Sequence, residues 1–128
     1  MAPHPNRAIL LAAALLGASA VMLGAFGAHA LRSTLGPQQL GWWQTATQYQ
    51  LAHALALLVI SILPLRRAPL AAGCIALGTI IFSGTLTLMA LGLPHWLGAL
   101  TPIGGVLLIA GWLVRGWSAL AKDGGAVR

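Results

Sequence analysis

Residues 8–30 read AILLAAALLGASAVMLGAFGAHA, a run without a single charge. A helix needs roughly 20 apolar residues to cross the hydrocarbon of a bilayer, and this run exceeds that. A membrane β-strand is excluded, because its residues would alternate apolar and polar over short segments and these do not. A helix also satisfies every backbone N–H and C=O within its own segment, as lipid requires. The run resembles a secretion signal in two respects: Arg7 precedes it, and Ala28-His29-Ala30 reads like a cleavage site. A signal core is only about 7–15 residues long, so the run is read as a retained membrane span.

Working outward, three more apolar runs follow. They cover about 46–63, ending at Pro64; about 69–93, ending at Pro94; and about 97–120, with Arg115 near its end. The expected fold class is therefore all-α, an integral membrane four-helix bundle. A single domain over 1–128 leaves no room for a second. Composition agrees: 59% of residues are hydrophobic and 6% charged, with a mean hydropathy of +0.88. A soluble domain carries about 25% charged residues.

The same composition excludes several activities. The net charge of +6 is spread between apolar runs rather than gathered into a phosphate-reading face, which argues against nucleic acid. Cys74 is the lone cysteine, so neither an intrachain disulfide nor a cysteine metal cluster can form; it reads as a small buried hydrophobe. Asp123 is the only carboxylate side chain. That removes paired-carboxylate chemistry and an intramembrane Ser-His-Asp triad. Ser83-Gly84 lacks the flanks of a nucleophile elbow, and Gly104-Gly105 is no phosphate loop. No catalytic residue, cofactor or metal ligand is assigned, and the chain reads as a non-enzyme.

Four spans put the N-terminus, the second loop and the C-terminus on one side. That side holds Arg7, Arg66, Arg67, Arg115, Lys122 and Arg128, against Arg32 alone on the other. Six against one places both termini in the cytoplasm by the positive-inside rule. Trp42, Trp43 and Trp96 are then expected at the outer interface and Trp117 at the inner one. Between Arg32 and Thr45, Gly36-Pro37 predicts a break and a helix start, with Gln38–Gln44 as an interfacial extension of the second helix.

Lipid competes for apolar side chains, so helices associate through small residues and polar pairs. Gly17, Ala20, Gly24 and Gly27 share one face of the first span. Gly73, Ala76 and Gly84, with a hydroxyl row at Thr79, Ser83 and Thr87, mark the third. Gly104, Gly105, Leu108 and Gly111 mark the fourth.

Ionisable residues at membrane depth raise a functional hypothesis. The candidate polar cluster is His29, Gln48, Tyr49, Gln50, His53, Ser83, Thr87 and Thr101. Thr45, Gln48, Tyr49, Ala52 and His53 share a face expected to point inward. Three roles follow. The first is interhelical hydrogen bonding. The second is a path for ions or small solutes, opposed by the Leu55–Leu63 stretch, where Ser61 is the only polar residue. The third is a haem or quinone site, opposed for bis-histidine haem by the depths of His29 and His53, which differ by roughly 10 Å of helical rise.

Specific strings also carry a likeness. Gly24-Ala25-Phe26-Gly27-Ala28-His29-Ala30-Leu31 closes the first span. Thr45-Ala46-Thr47-Gln48-Tyr49-Gln50 and His53-Ala54-Leu55-Ala56-Leu57 open the second. Phe82-Ser83-Gly84 marks the third; Thr101-Pro102-Ile103-Gly104-Gly105 and Gly111-Trp112 mark the fourth. In this order they resemble the YgdD-like family of small bacterial inner-membrane proteins, over about Ala8 to Trp112. The family is a domain of unknown function related to a small eukaryotic transmembrane protein. The resemblance implies a four-span protein of the bacterial inner membrane and brings no reaction, substrate or cofactor. It places His29, Gln48, Tyr49, Gln50, His53, Ser83 and Thr101–Gly105 on motif positions. The favoured function is an accessory, assembly or scaffolding component of a membrane complex. Its partners would be the lipid bilayer and other membrane proteins or further copies of itself.

Overall fold

The computed structural model describes residues 4–63 and 65–120. Expectations placed on Pro64, Lys122, Asp123 and Arg128 lie outside the described residues. The protein is all-α, with four helices long and apolar enough to cross a membrane: α1 (Arg7–His29), α2 (Pro37–Ile62), α3 (Ala68–Ala90) and α4 (Thr101–Leu120). A 3₁₀ segment, His95–Ala99, leads into α4.

Local chemistry sets the ends. Asn6 caps α1, its side-chain oxygen accepting from the Ile9 N–H at 3.2 Å; such a cap satisfies an otherwise orphaned donor. Proline at the first position opens α2 after extended Gly36. This start lies upstream of residue 46 because Gln38–Gln44 continue the same helix. Arg67, in the left-handed region at φ 61°, turns the chain into α3. The third span stops at Ala90 rather than residue 93, and Gly92 at φ 97° reverses the chain, a conformation open to glycine at little cost. The fourth begins with the 3₁₀ turn at His95 and becomes α-helical only from Thr101.

Helices pack in chain order: α1 on α2, α2 on α3, α3 on α4. A slight contact joins α1 to α3, while α1 and α4 do not pack on each other among the described residues. Buried residues make up 39% and 44% of the most apolar stretches of α2 and α3, but 17% in each outer helix. α1 and α4 are thus the helices least covered by the rest of the chain.

The tightest seam is α3 on α4. A Cβ added to Gly104 would stand 2.5 Å from the Phe82 backbone nitrogen and 2.9 Å from the Gly78 carbonyl oxygen; one on Gly111 would meet Ile75 Cγ1 at 2.5 Å. The backbones therefore touch, as small residues allow in membranes. Leu108, between these glycines, is buried. Gly78, absent from the expected small-residue faces, is half of this contact. Gly24, Gly73 and Gly84 face open space instead.

Three polar contacts gather the ends of the chain. The Asn6 N–H donates to the Ser61 carbonyl at 2.9 Å, the Ser118 hydroxyl to the Arg66 carbonyl at 2.7 Å, and Arg115 Nη2 to the Leu63 carbonyl at 3.3 Å. Arg7, Arg66, Arg67 and Arg115 consequently share one end, and Arg32 lies at the other. Trp96 and Trp117 are exposed at opposite ends. Trp43, near the same end of the bundle as Trp96, is turned inward. It is 3% exposed, backs onto Gly27, and donates its indole N–H to the Leu23 carbonyl at 2.8 Å.

Candidate functional site

Of the eight candidate polar residues, Gln50, His53, Ser83 and Thr101 make side-chain hydrogen bonds at separate helix seams. Gln50 serves α1: its amide nitrogen donates to the Leu16 carbonyl at 3.1 Å and to the Ser19 hydroxyl at 2.6 Å. Ser83 serves the α2–α3 seam, donating to the Ala46 carbonyl at 2.8 Å while 2% exposed. Thr101 pairs with Thr85 across α3 and α4 at 2.7 Å. Since Thr85 spends its proton on the Ile81 carbonyl at 2.7 Å, Thr101 is the donor. Thr87 is half-buried and makes no side-chain hydrogen bond among the described residues.

Where they point follows from helix geometry. The buried face of α2 runs through Trp43, Ala46, Gln50, His53, Ala54 and Leu57. Gln48 and Ala52 lie on its exposed side, as does Tyr49 at 44% exposure. The inward face is therefore rotated from the one expected, and Gln50 is the inward glutamine. His29 is exposed at the end of α1 and takes no part in these contacts.

One group of aromatic side chains does converge. His53, 7% exposed, stacks on Tyr49 with ring centres 5.9 Å apart and planes at 14°. Tyr49 meets Phe82 of α3 at 4.6 Å, and Trp112 of α4 stands edge-on to His53 at 6.0 Å. The hydrogen bonds assign the imidazole tautomer. Its Nδ1 lies 2.7 Å from the Tyr49 carbonyl oxygen, which can only accept, so Nδ1 carries the proton. Its Nε2 receives the Trp112 indole N–H at 3.1 Å, and an indole can only donate. Both ring nitrogens are engaged, and metal ligation through Nε2 would first have to displace Trp112.

Phe82 and Trp112 appeared in the sequence only within family-like strings. A sharper signal was available for Trp112: an indole eleven residues into α4 lies away from the interface where tryptophan usually settles, so its N–H needs a buried acceptor. Among the described residues there is no group of three or more His, Cys, Asp or Glu side chains placed to hold a metal ion.

Together, four apolar helices held by isolated interhelical hydrogen bonds and backbone-close glycines define a small multi-pass α-helical membrane protein. The family model described as a protein of unknown function (DUF423) matches residues 23–105. The UPF0382 inner membrane protein YgdD of Escherichia coli K12 is 41% identical over 111 residues, covering 84% of this chain and 85% of the relative. A UPF0382 membrane protein of Staphylococcus epidermidis is also 41% identical, over 84% of this chain and 91% of its own. One from Staphylococcus haemolyticus is 40% identical over 107 residues, covering 78% and 88%. The chain belongs to this DUF423/UPF0382 family of small membrane proteins. No solved structure matches it.

Proposed function

We propose that this protein is a non-enzymatic accessory or scaffolding component of a larger complex in the bacterial inner membrane, with both termini cytoplasmic. The observation that carries this reading is the low coverage of the outer helices: α1 and α4 each pack along one side and leave the other uncovered by the chain itself. On the outer side of α1, Ala18 and Ala25 are exposed, small residues that admit another helix closely. The polar side chains support the same reading. Gln50, His53, Ser83 and Thr101 have intramolecular partners at different seams. They work as fastenings, and do not line one continuous polar path.

The location rests on the relative named as an inner membrane protein and on the basic end of the bundle, which the positive-inside rule assigns to the cytoplasm. Mild-detergent purification from the native host tests the assembly role. A partner recovered in fixed stoichiometry, and lost when Ala18→Trp fills the α1 face, is the expected result. A lone monomer that catalyses solute flux in liposomes, with flux abolished by His53→Ala, would overturn it. For orientation, a cysteine at Gln39 in a Cys74→Ser background should label from the periplasmic side; labelling only from the cytoplasm inverts the arrangement.

A further inference from the structure

We propose that the groove between α2 and α4 is a binding site for an anionic phospholipid, with one acyl chain in the groove and the phosphate at Arg115. This goes beyond the assembly reading and does not depend on it. The groove encloses about 350 Å³, walled by Leu55 and Val59 of α2 and Trp112 of α4, floored by Ile75 of α3, with Arg115 as its charged residue. From Ala52 to Val59 it extends about 10 Å along the helix, a segment of acyl chain rather than a compact solute. It runs toward the basic end, because α2 and α4 both point that way.

Arg115 supplies the polar terminus. Its Nη2 makes one long bond, to the Leu63 carbonyl at 3.3 Å, and its buried Nη1 has no partner among the described residues. A cation at membrane depth is costly unless it is paired or reaches the interface, and a guanidinium presents a fork of donors suited to phosphate. One turn further along α4, a second recess of about 120 Å³ is lined by Arg66, Arg67, Trp117 and Ser118. The order along the bundle is apolar slot, guanidinium, basic recess at the interface. That is the order of chain, phosphate and headgroup in a phospholipid. Basic pockets between membrane helices recognise anionic headgroups in this way.

The test uses the full chain, delipidated in a neutral detergent and titrated with lipid under native mass spectrometry. Phosphatidylglycerol, phosphatidylcholine of the same acyl composition and glycerol 3-phosphate are the probes. The expected result is one retained phosphatidylglycerol, held about 10-fold more tightly than phosphatidylcholine, with no retention of glycerol 3-phosphate; that ratio corresponds to about 1.4 kcal/mol. Arg115→Gln should bring the two lipids close to parity, and Arg115→Lys should keep part of the preference. Ala52→Trp, at an exposed position on the groove wall, should weaken both lipids without changing charge. Equal binding of both lipids to the unaltered protein, or an undiminished preference in Arg115→Gln, overturns the proposal. So does glycerol 3-phosphate binding as tightly as the lipid, which would make the site one for a soluble phosphate. If Arg115→Gln does not fold, the lysine and tryptophan variants decide the matter.

Discussion

Replacing Gly104 by alanine adds one methyl group at the tightest point of the α3–α4 seam. The new carbon would lie 2.5 Å from the Phe82 nitrogen and 2.9 Å from both Phe82 Cα and the Gly78 oxygen. All three atoms belong to the α3 backbone, so no rotamer change relieves the overlap. Restoring ordinary contact requires the helices to part by about 1 Å, and overpacking of this kind costs roughly 1–3 kcal/mol. The same movement stretches the Thr85–Thr101 bond, now 2.7 Å, beyond the range in which a hydroxyl pair binds. Losing an interhelical bond in a membrane protein adds about 0.6 kcal/mol, for a total of roughly 1.6–3.6 kcal/mol.

The assay is reversible unfolding in mixed micelles with increasing dodecyl sulfate, followed by helical circular dichroism. Gly84→Ala is the reference, because nothing lies within 4 Å of its added carbon and the gain in helix propensity is common to both variants. Gly105→Ala, whose carbon would meet only the Phe82 ring at 3.8 Å, should behave like the reference. If Gly104→Ala matches Gly84→Ala to within about 0.5 kcal/mol, less than the smallest overpacking penalty, the backbones do not touch there and the reasoning fails.

Nitrogen NMR of histidine-labelled protein should show His53 as the Nδ1–H tautomer, with Trp112→Phe shifting its Nε2 resonance; an Nε2–H tautomer contradicts the assigned bonds. Gln50→Leu removes both bonds to α1 and should destabilise the fold by about 1–2 kcal/mol on the scale of interhelical bonds in membranes; an unchanged dodecyl sulfate midpoint would show that those bonds contribute nothing.

Much of the fold was legible because the bilayer imposes it. A long uncharged run such as residues 8–30 can only satisfy its backbone as a helix, and Gly36-Pro37 marked the start of α2. Rotation was harder to read. Thr45, Gln48, Tyr49, Ala52 and His53 do share a helical face, yet burial follows Trp43, Ala46, Gln50, His53 and Leu57. Both sides of a membrane helix can be apolar, one meeting protein and one meeting lipid, so hydropathy carries little information about direction. The inward turn of Trp43 was hidden for a related reason: Gly27 leaves room for its indole and the Leu23 carbonyl accepts its proton, and neither is marked by hydropathy.

The polar residues are better understood seam by seam than as a cluster. Gln50 with Ser19, and Trp43 with the Leu23 carbonyl, join α1 to α2. Ser83 and the Ala46 carbonyl join α2 to α3, and Thr85 and Thr101 join α3 to α4. His53 with Trp112, and Arg115 with the Leu63 carbonyl, reach from α2 to α4. Among the described residues no such bond joins α1 to α4. With apolar association weak in lipid, hydrogen bonds and close small-residue contacts are what hold one helix to another. A helix side lacking both within the chain is where a lipid or a further helix can bind without displacing an existing contact. The weakly covered α1 and α4, rather than the aromatic group around His53, are therefore the surfaces on which partner-dependent behaviour should first appear.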